Sequence, residues 1–328
     1  MTEFDLIIVG AGPAGLVAAQ YGARANLKVE VIEQLSAGGQ ALLIDVLENY
    51  PGNVGQERTN GDESAEPKSG FDFAMDLHRQ AENFGASFLF NKVDSIKKET
   101  DSFEINLIDG TKHSAKAVII ATGAKPRMLG VSGEQEFSGR GVSYCATCDG
   151  NFFKNKKIFV VGGGDAACDE ARHLAKLTSK VILIHRRASL RAQKSLAART
   201  LENPNIETRF DTIIKEIKGT ADSKKVNMVV LENLKSGEIY EEEADAVFIA
   251  VGTQPQSELA VSVAAGNLKV RLDENGYIVT DQNMATNIDG LFAAGDVRAG
   301  AFRQVITAAA DGAVAAHNAA KYIDEIIF

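Results

Sequence analysis

One arrangement occurs twice in this chain and restricts its fold more than any other feature. It is a short apolar strand, a glycine-rich turn, an alanine-rich helix and a second apolar strand. The first copy reads FDLIIVGAGPAGLVAAQYGARANLKVEVIEQ from Phe4, and the second reads KKIFVVGGGDAACDEARHLAKLTSKVILIHRR from Lys156. Gly162, Gly164 and Ala167 stand in the second where Gly10, Gly12 and Gly15 stand in the first. Two strands joined through a helix must run parallel, so each copy predicts a βαβ unit. The copies also close alike, on AVIIATGAKPR (residues 117–127) and AVFIAVGTQPQ (residues 246–256). The fold class is therefore α/β: two Rossmann-like, three-layer, nucleotide-binding domains.

Between the opening and closing strands, SFEINLIDGTKHS and KVNMVVLENLKSGEIYEEE alternate in polarity around Asp-Gly and Ser-Gly turns. They predict hairpins covering one face of each sheet. The polar, turn-rich segment from Asn53 to Gly70 reads as a surface loop or a disordered excursion. The tail, GLFAAGDVRAGAFRQVITAAADGAVAAHNAAKYI, is a strand, a Gly-Asp turn and a long helix. Coming after the second unit has closed, it either extends that unit or returns to the first. A length of 328 residues with 45% apolar and 24% charged content suits two folded domains. The net charge of −9 gives no footprint for a phosphate backbone, so nucleic acid is not an expected partner. The N-terminal apolar run lacks a preceding Lys or Arg and is broken by glycines and a proline, which argues against a secretory signal and a membrane span. With three cysteines, the expected compartment is the reducing cytoplasm.

The two turns differ where a dinucleotide's adenosine ribose would lie. Each second strand ends 23 residues after the first glycine, at Glu33 in one copy and His185 in the other. A carboxylate accepts hydrogen bonds from an unmodified 2′-hydroxyl. His185, Arg186 and Arg187, with Arg191 beyond them, suit a 2′-phosphate instead. FAD is expected in the first unit and NADPH in the second. In the tail, Asp296 is placed to meet ribityl hydroxyls, and a helix starting near Arg303 would aim its positive end at a flavin ring.

Cys145 and Cys148 enclose two residues and precede Asp149. Three chemistries compete here. Zinc would recruit Cys168 and His173, and no metal is expected because Cys168 falls on the helix of the second glycine turn. A structural bridge is the second. The third is a redox dithiol at a turn or helix start, with Asp149 exchanging a proton with one sulfur or else capping a helix. Cys168 itself reads as a packing residue.

GAGPAGLVAA, GGQ, ENYPG, ATGA, CATCDG, GGGD, IHRR, AAGDV and RQV, in that order, make the chain resemble the low-molecular-weight thioredoxin reductases over nearly its whole length. The resemblance implies a homodimer in which residues 1–122 and 254–328 form the FAD domain, interrupted by an inserted NADPH domain at 123–253 that carries the cysteines. It implies FAD contacts at Gly10, Gly12, Pro13, Ala14, Gly15, Glu33, Gly39, Gln40, Asn49, Ala121, Thr122, Gly123, Gly295, Asp296, Arg303, Gln304 and Val305. For NADPH it implies Gly162, Gly163, Gly164, Asp165, Ala166, His185, Arg186, Arg187 and Arg191. Cys148 would face the flavin, Cys145 would attack the disulfide of thioredoxin, and Asp149 would give and take the proton. The inserted domain would rotate about connections near Gly123 and Gly252. Glutaredoxin-like or peroxiredoxin-type acceptors, or a ferredoxin-NADP reductase or NADPH oxidase on this scaffold, are the alternatives. Departures from the family pattern are Ala166 for a hydroxyl residue, Asp169 for Glu, a longer loop after Asn53, and the sequence Thr253 to Gln256.

Overall fold

The computed structural model describes residues 2–44, 46–47, 49–53, 68–219, 225–266 and 268–327. The stretch expected as a long polar loop falls, at 54–67, outside the described residues. The chain divides into two compact units, one of residues 1–125 with 254–328 and the other of residues 126–253.

The first unit opens with β1 (Thr2–Val9), α1 (Pro13–Arg24) and β2 (Val29–Glu33). It continues through α2 (Gly70–Asn83), β3 (Ser87–Phe90), β4 (Val93–Lys98), β5 (Phe103–Leu107) and β6 (Lys112–Ile120). The last four residues of β1 are all buried, as a strand covered on both faces must be. Strand order runs β3-β2-β1-β6-β5-β4. Alternation sorts the side chains: Leu6 and Ile8 face a layer of helices with Leu16 and Ile119, while Ile7 and Val9 face Phe103 and Ile105.

The second unit carries β7 (Val142–Ser143), α3 (Ala146–Asp149), β8 (Ile158–Val161), α4 (Asp165–Leu174), β9 (Val181–Ile184) and α5 (Lys194–Leu201). It ends with β10 (Ile206–Arg209), β11 (Thr212–Gly219), β12 (Val226–Asn233), β13 (Ile239–Glu243) and β14 (Ala246–Ile249). A parallel sheet of order β10-β9-β8-β14-β7 is covered on one face by the antiparallel sheet β11-β12-β13. On the other face, Ile158, Val160 and Phe248 pack with α4 residues Ala167, Ala171 and Leu174.

Both expected hairpins form, but only the second belongs to a separate sheet. In the first unit β6 is shared: its start pairs antiparallel with β5, and its end pairs parallel with β15 (Leu291–Ala293). The tail thus returns to the first unit, where α6 (Val305–Ile327) packs on α1. Small residues set that approach, because a Cβ on Gly312 would lie 2.1 Å from the Ala14 carbonyl oxygen. The helix begins at Val305 rather than Arg303, which adopts a left-handed backbone with φ 60°.

Candidate functional site

In the first glycine turn, Gly10 has φ +104°, and a Cβ there would meet the Ala121 carbonyl oxygen at 2.5 Å. Gly15 lies still closer to its neighbour, with the Gly10 oxygen 1.9 Å from a built Cβ. Gly12 is different: among the described residues nothing lies within 4 Å of its missing side chain. Two of these glycines let backbone pack on backbone, and Gly12 keeps the space above the helix start open. Pro13 occupies the first turn of α1, and no side chain caps the amides there. An open, uncapped helix N-terminus receives a pyrophosphate.

Several of the other expected flavin contacts meet this turn or one another. Gly38 N–H donates to the Ala11 carbonyl at 2.7 Å, and Gly39 approaches Gly12. The Gln40 amide donates to the Ala124 carbonyl beyond Thr122 and Gly123. Asn49 Nδ2 donates to Gln304 Oε1 at 3.0 Å, linking the segment after α1 and β2 to the start of α6. Gly295 abuts Ala14. Burial raises the half-buried Asp296 carboxyl to about 6 against the opposing pull of Arg303. Glu33 is already engaged, its two oxygens accepting from Ala11 N–H at 2.8 Å and Leu35 N–H at 2.9 Å. Each oxygen keeps a lone pair for a ribose hydroxyl. The residues fit a dinucleotide.

The second turn repeats the plan. A Cβ on Gly162 would meet the Ala250 oxygen at 2.4 Å, and Gly164 faces open space. Gly163 has its own reason to be glycine: the His185 imidazole lies 2.2 Å from where a Cβ would go. Burial and then Arg191 and Arg187 hold the His185 imidazole below its ordinary range, so it is neutral at pH 7. Arg191 N–H donates to the Gly163 carbonyl at 2.6 Å. The side chains of Arg186, Arg187 and Arg191 are exposed, and among the described residues none of the three forms an ion pair. Asp165 Oδ1 accepts from Gln193 N–H at 2.7 Å, while Ala166 and Asp169 are exposed.

Cys145 and Cys148 form a disulfide at the start of α3. Cys145 is the N-cap, and its sulfur accepts from Cys148 N–H at 3.2 Å. Asp149 does not cap this start; it closes the helix, four residues after Cys145. Its Oδ2 accepts from the Ser143 hydroxyl at 2.6 Å, and the same hydroxyl accepts from Cys145 N–H at 3.1 Å. Cys168 is fully buried on α4, and burial pushes its thiol up, as suits packing rather than chemistry. Among the described residues no group of His, Cys, Asp and Glu is arranged to hold a metal.

Two residues of this machinery have partners that the sequence does not reveal. Ser143 is one. The other is Gln256, whose amide donates to the Thr122 carbonyl at 2.6 Å, whose carbonyl accepts from the Thr122 hydroxyl at 2.5 Å, and whose N–H donates to the Gly123 carbonyl at 2.9 Å. The departure from the family pattern at this position therefore has a structural role: Gln256 fastens the segment that ends the first unit's parallel core.

Comparison with known proteins agrees with this geometry. Residues 4–312 match the family described as pyridine nucleotide-disulphide oxidoreductase. A thioredoxin reductase of Treponema pallidum (strain Nichols) is 51% identical over 325 residues, covering 99% of each chain. One of Peptoclostridium acidaminophilum is 44% identical, covering 98% of this chain and 97% of that relative. Among solved structures, the thioredoxin reductase of Streptococcus pyogenes MGAS5005 has a TM-score of 0.87 at 40% identity, with 99% of both chains covered.

Proposed function

The chain belongs to the thioredoxin reductases of the pyridine nucleotide-disulphide oxidoreductase family, and from that premise we propose how its residues divide the work. It is an FAD-containing, NADPH-dependent enzyme that reduces the disulfide of thioredoxin. The observation that carries the reading is the Cys145–Cys148 disulfide, in a chain with two glycine-turn cradles of opposite charge.

FAD, when bound, supplies a two-electron carrier between nicotinamide and sulfur. The residues of the chain do the rest. Gly10, Gly12, Pro13, Ala14 and Gly15 receive the FAD pyrophosphate at α1, and Glu33 takes the ribose. Gly39, Gln40, Asn49, Ala121, Thr122, Gly123, Gly295, Asp296, Arg303, Gln304 and Val305 line the flavin side. Gly162 to Ala166 hold the NADPH pyrophosphate. Arg186, Arg187 and Arg191, lacking ion-pair partners among the described residues, take the 2′-phosphate, and neutral His185 supports Gly163 from below. Cys148 accepts electrons, Cys145 attacks the thioredoxin disulfide, and Asp149 holds or releases the proton at the sulfur. The working form is a homodimer in the cytoplasm. The family resemblance supports the dimer, and the presence of one cysteine outside the dithiol, Cys168, supports the compartment.

Replacing Cys145 and Cys148 together by Ser tests the scheme. The variant should keep its yellow FAD and bleach with NADPH, yet lose thioredoxin reduction by roughly 1,000-fold or more, since no sulfur remains to exchange. Thioredoxin reduction at the normal rate would refute it.

A further inference from the structure

Ser143 is only 5% exposed and is held on β7, opposite Phe248 of β14. Its hydroxyl has one proton and two lone pairs. Cys145 N–H fills one lone pair at 3.1 Å, and the proton goes to Asp149 Oδ2 at 2.6 Å. A second acceptor is also in reach, the Cys145 carbonyl oxygen at 3.4 Å. That oxygen accepts Asp149 N–H at 3.1 Å and has a lone pair left.

Two hydrogen-bond patterns therefore satisfy the same heavy atoms. With Asp149 ionised, the serine proton points at its carboxylate. With Asp149 protonated, the carboxylic acid donates to the second lone pair of Oγ, and the serine proton turns to the Cys145 carbonyl. We propose that Ser143 is the positioning residue for proton exchange at the dithiol: a hydroxyl rotor that stays hydrogen-bonded to Asp149 in both of its protonation states without backbone movement. This rests on the role given to Asp149 above.

The step balances. When the disulfide accepts two electrons from the reduced flavin of the established reaction, the Sγ–Sγ bond breaks and leaves two thiolates. One takes the Asp149 proton, giving a thiol, a thiolate and an aspartate whose charge the serine proton then meets. When that thiol later gives its proton back to Asp149, the rotor turns. In the exchange a cysteine thiolate attacks the thioredoxin disulfide, whose S–S bond breaks to release one thioredoxin thiolate. The other cysteine then breaks the mixed disulfide, re-forming the Cys145–Cys148 bond and releasing the second thioredoxin thiolate; both thioredoxin thiolates take protons from water. Without the hydroxyl, the ionised form loses a charge-assisted bond and the neutral form only an ordinary one, so Asp149 becomes harder to ionise.

Other titratable groups stand nearby. Tyr144, Cys145 and Cys148 share the segment, and α4, packed on α3, carries His173 and Glu170. Burial holds His173 low, raises Glu170 to about 8 and raises Tyr144. The Asp149→Asn variant separates Asp149 from all of these.

The experiment is alkylation of the reduced, FAD-loaded protein with iodoacetamide between about pH 5 and about pH 9. The wild-type rate should show, beside the inflection of the attacking thiol itself, a second inflection that Asp149→Asn abolishes. In Ser143→Ala that inflection should move up by about one pH unit, and Ser143→Thr should return it. Thioredoxin turnover by Ser143→Ala at about pH 7 should fall about 10-fold with the KM for NADPH unchanged. A second inflection at the wild-type position in Ser143→Ala overturns the rotor. If the alanine variant does not fold, Ser143→Gly is read in its place, and loss of bound FAD in both makes the serine structural and also overturns it. A second inflection that survives Asp149→Asn overturns the role of Asp149 itself.

Discussion

The two glycine turns are the same object at two positions and different objects at three. Gly10 and Gly162 both press against a closing-strand carbonyl, and Gly12 and Gly164 both face open space. The third glycine, Gly15, becomes Ala167 in the second copy with the helix still packed. The other differences lie at the residue after the first glycine and at the tip of the second strand. In the first turn these are Ala11 and Glu33, joined by a hydrogen bond from the Ala11 amide. In the second they are Gly163 and His185, joined by a ring lying where a side chain would be. The first and second glycines stay, the third gives way to alanine, and the pair that sets the ligand's charge changes together. A carboxylate can reach past a Cβ to the amide, whereas an imidazole lying flat needs the Cβ gone.

The largest expected break in this comparison comes from the third glycine position. Gly15→Val would drive two methyls into a backbone with an oxygen already 1.9 Å from the first carbon. The helix cannot move without unpacking α1 from α6, so the expected result is loss of soluble, yellow protein, read by the flavin absorbance of the purified fraction. Ala167→Gly, at the matching place in the second unit, should leave FAD bound and cost about 1 kcal/mol in denaturant unfolding.

Next in size is the charge. Replacing Arg186, Arg187 and Arg191 together by Ala should lower kcat/KM for NADPH on the order of 100-fold and leave NADH within about 3-fold, because only the 2′-phosphate loses its partners. Equal losses with both coenzymes would mean the arginines support the turn rather than read the phosphate. Among single variants, Arg191→Ala should cost most, since its backbone is already bound to Gly163.

A smaller effect sharpens the pairing. Gly163→Ala should raise the KM for NADPH about 10-fold by pushing the His185 ring away, and His185→Ala in the same chain should recover most of it. Ala11→Gly in the first unit should change FAD affinity less than about 3-fold, because no ring depends on that site. Additive losses in the Gly163 and His185 pair would sink the idea that they change as one.

These contrasts also explain what could be read from sequence. The turns were legible because strand, glycines, helix and strand tip fall within one short stretch, so position alone assigns Glu33 and His185. The cysteine pair was legible for the same reason. That Glu33 holds two amides was not, since its charge is visible in sequence and its partners are not. Ser143 looks like any serine before a cysteine; its role exists because α3 folds Asp149 back over the strand end. Gln256 meets Thr122 from 134 residues away. The sharing of β6 between β5 and β15 was hidden too, because a strand's second edge leaves no local pattern. The tail's destination needed the Gly312 contact with Ala14, a packing fact between two alanine-rich helices that sequence presents as interchangeable.

The smallest expected effect compares buried acids across the units. Glu30 in the first lies 2.9 Å from His113, and burial raises it to about 7. Glu170 in the second has a buried Oε2 that, like Glu30 Oε2, has no hydrogen-bond partner among the described residues, and it has no histidine beside it; burial raises it to about 8. A carboxyl whose folded pKa is raised binds its proton more tightly in the native state. Its contribution is therefore fully present below the unfolded value of 4.5 and is lost as pH rises through the folded value, near 7 for Glu30 and near 8 for Glu170. Glu170→Gln keeps a neutral group of the same shape, so it should flatten that part of the melting curve. The second unit should gain about 1 kcal/mol, or about 3 °C, at pH about 9, with little change at pH about 5. Glu30→Gln should gain less, because His113 then loses the carboxylate beside it while its own imidazole, held low by burial, stays in place. Melting followed in parallel for the two variants would reverse this order only if Glu170 has a partner that ionisation strengthens; in that case the second unit's acid would be the paired one and the first unit's the isolated one.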